Sequence, residues 1–402
     1  MVILPALGVF AGWLIVMPNT VLTLALCVDK ITGTSGSPAY SLILGAGWLS
    51  LILALEFMGR WSDKLFVSTG SRSKLIWFGI VGTLALGAAF MFANSLMACA
   101  IIWCALQIPA AAIVSTCLAL SAHSGDSPRQ GLASGLVGGA PVLSVLVGSL
   151  LLTVVTLEPR AMLLATCVAG AVIAIPVALR GHTESGSQIA NREHSHLLEA
   201  DDSKPSSRNW RIFLIAAFLL SCSTSATNGY IIAYARNILN LDSTAAASLA
   251  AYMVLIAATA SIAIGVAIGH YVRKAHRIIL TYAFAALVTG FSIVLFIARP
   301  SSSVALLSAL FFGLGFGAAN GLEISIFKLN HKGSTNAGKY LSTFTSVTTA
   351  PFVLVPAMAA VLMRDGDTSD INQLWSFGAA CAVAAAATVL ISLPKKTAKQ
   401  PI

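Results

Sequence analysis

Charge is scarce in this chain. Only 10% of its 402 residues are Asp, Glu, Lys or Arg, and the mean hydropathy is +0.86. So apolar a chain cannot clothe a soluble globular domain in hydrated side chains, and that class is excluded. Paired cysteines are missing too. The seven present (Cys27, Cys99, Cys104, Cys117, Cys167, Cys222 and Cys381) form an odd, scattered set. Such a set gives neither a disulfide framework nor a zinc site, and reads as small packing residues within helices. There is no His-x-x-x-His, no phosphate loop of the form Gly-x4-Gly-Lys-Ser/Thr and no nucleophile elbow. The reading is therefore non-enzymatic, with no cofactor and no metal, and gradient-driven rather than ATP-driven.

What the chain has instead is a series of twelve long apolar runs. They are Val2–Val28, Ser41–Met58, Ile76–Ala93, Leu96–Ala122, Leu132–Thr156 and Arg160–Ala178, then Ile212–Tyr234, Ala246–His270, Ile278–Ile297, Ser303–Phe327, Tyr340–Met363 and Leu374–Leu393. Crossing the ~30 Å hydrocarbon core takes roughly twenty residues, which each run approaches or exceeds. Inside lipid the backbone must satisfy its own polar groups, so spans are helices or a closed barrel. The runs are long and lack period-2 alternation, which selects helices. The expected fold is an all-α membrane protein with twelve transmembrane helices in two pseudo-symmetric six-helix bundles. The bundles are residues 1–180 and 212–393, joined by a hydrophilic linker over 181–211 and followed by a tail over 394–402. His182, His194, His196, Glu193, Glu199 and Asp201 in the linker read as solvated side chains rather than metal ligands. The first run is followed by no small-residue pattern of the kind signal peptidase cuts, and reads as a retained span.

The net charge is +9. Its distribution points to topology and away from nucleic acid. With both termini in the cytoplasm, every Lys and Arg falls on the cytoplasmic side except Lys30, Arg160, Arg236, Arg299 and Arg364. By the positive-inside rule this gives a multi-pass protein of the cell membrane with both ends inside. The basic loops would also contact anionic lipid.

The two halves echo each other, each with a basic loop after its second span: Gly59–Lys74 and His270–Arg277. Gly59-Arg60-Trp61-Ser62-Asp63-Lys64, followed by Gly70-Ser71-Arg72-Ser73-Lys74, resembles the loop signature of the major facilitator superfamily. The rest of the chain is similar to the glycoside and sugar cation-symporter branch of bacterial permeases. The similar stretches are Trp103-Cys104-Ala105-Leu106-Gln107, Arg129 to Leu136, Tyr230-x3-Tyr234-x-Arg236, and Gly338-Lys339 leading to Ala350-Pro351 and Pro356. The resemblance implies a latch on the cytoplasmic side built from Gly59, Arg60, Asp63, Lys64 and Arg72. Exposed ion pairs of this sort contribute about 0–1 kcal/mol each, weak enough to break in every cycle. Two departures stand out. Val272 occupies the place of the second-half Asp, and the fourth span has no carboxylate, so a sodium site of the branch's type is unsupported.

A carboxylate within a span costs ~2.5–3.5 kcal/mol on insertion scales and is a functional candidate by default. Glu323 in the tenth run is the best case. Two roles stand for it: carrying a coupling proton, or pairing with Lys328 or Lys339 as a structural lock. Glu56 reads as part of the latch. A neutral polar cavity near the midplane, where carriers bind solute, has as candidates Asn19, Thr23, Gln107, Asn228, Tyr230 and Asn320. Trp13, Trp48 and Trp103 offer aromatic platforms; any one of these side chains could equally be a helix-to-helix contact. The resulting expectation is a monomeric secondary transporter that works by alternating access and is proton-coupled. Its partners are the lipid bilayer and a small organic solute, with sugars and glycosides the class the resemblance implies. Two alternatives stand beside it. One is an exporter of hydrophobic compounds, for which Gly135-x3-Gly139-Ala140-Pro141 is a partial likeness to the antiporter motif. The other is a non-transporting membrane receptor or scaffold.

Overall fold

Apolar length turns into helix almost everywhere along the chain. The computed structural model describes residues 3–33, 37–69, 71–122, 130–154, 158–180, 207–272, 275–330, 344–362 and 368–391, and among them there is no strand. The first half comprises α1 (Ile3–Pro18), a π-helical turn (Asn19–Thr23), α2 (Leu24–Thr32), α3 (Pro38–Thr69), α4 (Ser73–Phe90), α5 (Leu96–Ala122), α6 (Gln130–Val154) and α7 (Pro159–Arg180). The second comprises α8 (Ser207–Asn228), α9 (Ile231–Asn237), α10 (Ser243–Tyr271), α11 (Ala275–Ala298), α12 (Ser302–Asn330), α13 (Pro351–Leu362) and α14 (Thr368–Ile391). Among the described residues eleven helical stretches are long and apolar enough to cross a membrane, and α6 adds the shorter apolar stretch Gly139–Leu151. Among the described residues, helix thus occupies each of the twelve expected runs. Large apolar side chains also point outward: Phe92 is 81% exposed, Val361 69% and Phe284 68%. In water that would be a liability; in a bilayer it is the lipid-facing surface.

Three local departures from the sequence reading have physical causes. The loop expected at Gly59–Lys74 is mostly helix, because α3 runs on to Thr69 and α4 begins at Ser73. No proline interrupts 59–69, and Arg60 and Lys64 are exposed on the continuing helix. The first span carries a π turn directly after Pro18. Proline has no N–H to bond the carbonyl four residues back, and its ring crowds that carbonyl, so the ladder must readjust there. The seventh span breaks at Gly229–Tyr230, where Tyr230 leaves helical geometry (φ −123°, ψ 14°) before α9 resumes. α9 then ends near Asn240, whose φ of 53° puts it in the left-handed region, a conformation Asn tolerates better than most residues.

The chain divides into two compact units. The first contains the helices up to Arg180, plus Asn228–Leu255 and Val353–Ile371. In it α1 is clasped at backbone range: a Cβ on Gly170 of α7 would lie 2.8 Å from the Ala11 carbonyl, and one on Gly148 of α6 would lie 2.2 Å from Pro18. The second unit contains residues 207–227, Ile256–Phe352 and residues 372–391. Its core gathers Trp210, Phe213, Tyr282 and Leu322, with Phe344 stacked on Phe213 at 5.7 Å between ring centroids. There α10 and α12 touch along Gly313, Gly317 and Gly321. Added Cβ atoms would come within 2.2 Å of the Ala257 carbonyl, 2.3 Å of the Ser261 carbonyl and 2.8 Å of the Gly265 carbonyl. Small residues at four-residue spacing let two backbones approach so closely.

Candidate functional site

A polar layer crosses the helices of the first half where the π turn opens α1. Asn19, at the start of that turn, is fully buried and donates from Nδ2 to Thr166 Oγ1 of α7 at 2.7 Å and to the Ile15 carbonyl at 2.7 Å. Thr166 in turn donates to the Leu163 carbonyl at 2.8 Å. Gly8 packs on Cys117 and Gly12 on Val114. Continuing this antiparallel register puts Asn19 level with Gln107 of α5, and Thr23 level with Trp103. Gln107 is buried and donates from Nε2 to the Trp103 carbonyl at 3.2 Å. The Trp103 indole meets α3 where Gly47 leaves room for it: a Cβ on Gly47 would sit 2.1 Å from Nε1.

This layer has unused hydrogen-bonding capacity. Asn19 Oδ1, Gln107 Oε1 and Trp103 Nε1 are buried without a hydrogen-bond partner among the described residues. A buried polar atom left unpaired costs about 1–3 kcal/mol, so orphans gathered within one helical turn suit a visiting hydroxyl-bearing guest or bound water. None of these side chains carries charge. Of the cavity candidates, Asn19 and Gln107 share one level, and Thr23 lies one turn further along, level with Trp103. Trp48 and Trp103 are buried, and Trp13 is half-buried.

The other candidates lie elsewhere. Tyr230 is buried in the first unit, where its hydroxyl donates to Ser41 Oγ at 2.9 Å and its ring meets Tyr40 edge-on at 5.9 Å. Asn228 is half-buried one residue before the helix break. Asn320 and Glu323 are half-buried on α12 in the second unit. Tyr282 of α11, in the core of the same unit, has a hydroxyl with no hydrogen-bond partner among the described residues. The side chain of Lys328 and all of Lys339 lie outside the described residues, so the expected lock has no described partner.

The motif after the second span is placed only in part. Arg60 pairs with Glu56 one turn earlier on α3, both largely exposed. Lys64 is exposed, and Gly59 has nothing within 4 Å of where a Cβ would be. Arg72 is buried, its guanidinium 4.7 Å from the Phe66 ring centroid. The Asp63 side chain is outside the described residues.

Sequence reading missed a second charged cluster. Asp29, in the last turn of α2, is 5% exposed and accepts from Arg236 of α9 at 3.3 Å; Lys30 donates to Glu158 at 2.6 Å. The four side chains line a cavity of about 600 Å³ together with Ser243, Thr244 and Ser248 at the start of α10. Asp29 was hidden as the end of an apolar run, and its partner is 207 residues away.

Comparison with known proteins follows the same lines. Residues 7–356 match the family model described as Major Facilitator Superfamily. No curated protein matches the chain. Two solved structures of the nucleoside transporter NupG are similar to it. One, a variant with an aspartate replaced by alanine, superposes with a TM-score of 0.70 at 13% identity over 98% of this chain and 100% of the other. The second gives a TM-score of 0.66 at 14% identity over 98% of each chain. Likeness at this identity speaks for the fold.

Proposed function

The chain belongs to the Major Facilitator Superfamily, and on that premise we propose that this multi-pass membrane protein is a secondary carrier of a small neutral polar solute. The observation that carries the solute class is the uncharged layer around Asn19, Thr166, Gln107 and Trp103, with orphaned acceptors beside an indole donor. Sugar hydroxyls are both donors and acceptors and would satisfy both kinds of group. Glycosides are therefore the class to test. Nucleosides are included because they carry a sugar, and the similar solved structures are of a nucleoside transporter.

In this reading residues 1–180 and 212–393 are the two bundles that rock about the solute, linked by 181–211. Both termini and the 394–402 tail are cytoplasmic, in the cell membrane, and the carrier works as a monomer. Glu323 carries the coupling proton. The arginines and lysines after the second span, with Asp63, form the cytoplasmic latch. The test is thermal stability of the purified protein against a panel of glycosides, nucleosides and hydrophobic cations, because a ligand that binds only the folded state raises apparent stability. Stabilisation by sugar-bearing solutes supports this reading. Stabilisation by hydrophobic cations alone would replace it with an exporter.

A further inference from the structure

We propose that Asp29 and Arg236, with Tyr40, Tyr230 and Ser41 behind them, form a latch that joins the two halves of the sequence at the membrane end where α2 stops at Thr32. The proposal rests on the carrier reading, because a latch has a use only if that end must also open. In the orientation proposed above it closes the outer end, opposite the Gly59–Arg72 motif.

The parts come from both halves and fall within one compact unit. Asp29 and Arg236 meet at 3.3 Å, with the carboxylate 5% exposed and the arginine side chain 25% exposed. Behind the pair, the helix break at Gly229–Tyr230 leaves the Gly229 carbonyl outside the helical ladder, and Tyr40 of α3 donates its hydroxyl to that oxygen at 2.6 Å. Tyr230 returns the contact, donating to Ser41 Oγ at 2.9 Å, and the two tyrosine rings meet edge-on at an interplanar angle of 83°. One turn further along α3, Gly45 faces α13 so closely that a Cβ would be 3.4 Å from Pro356 Cβ and 3.4 Å from the Val353 carbonyl. An ion pair, two reciprocal hydroxyl bonds and a close backbone contact thus succeed one another along one seam. Each partner in the first half is matched by one at least 189 residues later.

The chemistry suits a contact that must open. The aspartate is buried while the arginine keeps partial access to water through the cavity beside it. Water can therefore solvate the guanidinium as the pair separates. Breaking a buried pair by removing one partner strands a charge, so the single variants should favour the opened form. Removing both partners strands none.

The test reads opening directly. Ser41 is fully buried behind the pair, so Ser41→Cys should react slowly with a hydrophilic maleimide in purified full-length protein. Protein with Ser41 intact corrects for the native cysteines, six of which are buried. Asp29→Asn and Arg236→Gln should each raise the labelling rate about tenfold. The exchanged pair Asp29→Arg with Arg236→Asp should return it towards the parent rate. Tyr40→Phe, which deletes one hydroxyl and no charge, should raise it by a smaller factor and serves if a charge variant fails to fold. Unchanged labelling in the folded single variants and in Tyr40→Phe overturns the latch, as does an exchanged pair no better protected than the singles. No solute enters this readout. Failure of every glycoside and nucleoside to bind would leave the labelling result standing and refute the proposed solute class by itself.

Discussion

Adding one carbon at Gly317 should damage this protein, whereas the same carbon at Gly59 should not. At Gly317 a Cβ would lie 2.3 Å from the Ser261 carbonyl oxygen and 2.4 Å from Ser261 Cα, both backbone atoms of α10. Ordinary contact begins near 3.4 Å, so α10 and α12 must part by about 1 Å along a seam that also includes Gly313 and Gly321, and no rotamer change relieves the clash. Overpacking of this kind costs ~1–3 kcal/mol. At Gly59 nothing lies within 4 Å, and alanine in an open helical position gains ~0.5–1 kcal/mol over glycine. The two substitutions are chemically identical and should have opposite signs. Unfolding of Gly317→Ala and Gly59→Ala measured side by side in the same detergent provides the assay. Gly317→Ala as stable as the parent, or more stable than Gly59→Ala, would refute the packing argument for the second half.

Three other substitutions probe separate parts of the account. Thr166→Val removes the Oγ1 that accepts from Asn19 Nδ2. Because the Ile15 carbonyl remains as a second acceptor, the expected loss is about 0.5–1.5 kcal/mol of stability in the same unfolding assay, with weaker solute-induced stabilisation. Lys30 beside Glu158 holds that carboxyl below its ordinary 4.5. A carboxyl lowered in the folded state stabilises fully above its unfolded value, and that stabilisation fades as pH falls through the folded value. Stability titrated downward from neutral should therefore lose a small acid-sensitive component in Glu158→Gln, with the difference from the parent vanishing at the acid end. Glu323→Gln should fold and bind solute yet lose proton movement coupled to solute uptake; retained coupling in a folded variant would remove Glu323 from the mechanism.

Hydropathy made the spans legible because lipid leaves the backbone only helices or a closed barrel, and long runs without period-2 alternation select the helix. The fourth span, for example, occupies Leu96–Ala122 in both the sequence reading and the structure. Interruptions were harder to see. Pro18 marks the π turn only once its lost hydrogen bond is considered, and Gly229 looks like any other glycine in an apolar run. The loop signature at Gly59–Lys64 was misplaced onto a loop because charge alone cannot tell a helix extended into water from a turn. Among the candidate residues, Asn19, Thr23 and Gln107 were visible as polar side chains in apolar surroundings, and helix register brings Asn19 level with Gln107 and Thr23 one turn away. The Asp29–Arg236 pair was not visible, since a charge at the end of a span looks like ordinary boundary chemistry until its distant partner is placed beside it.

The central claim is that this chain carries a neutral polar solute by alternating access, and counterflow in proteoliposomes tests it most directly. Vesicles preloaded with an unlabelled glycoside or nucleoside that stabilises the purified protein should take up a trace of the labelled solute to a transient overshoot, with no ion gradient imposed. Unloaded vesicles should show none. Binding without overshoot in either case would contradict the account and identify a receptor that holds solute without moving it.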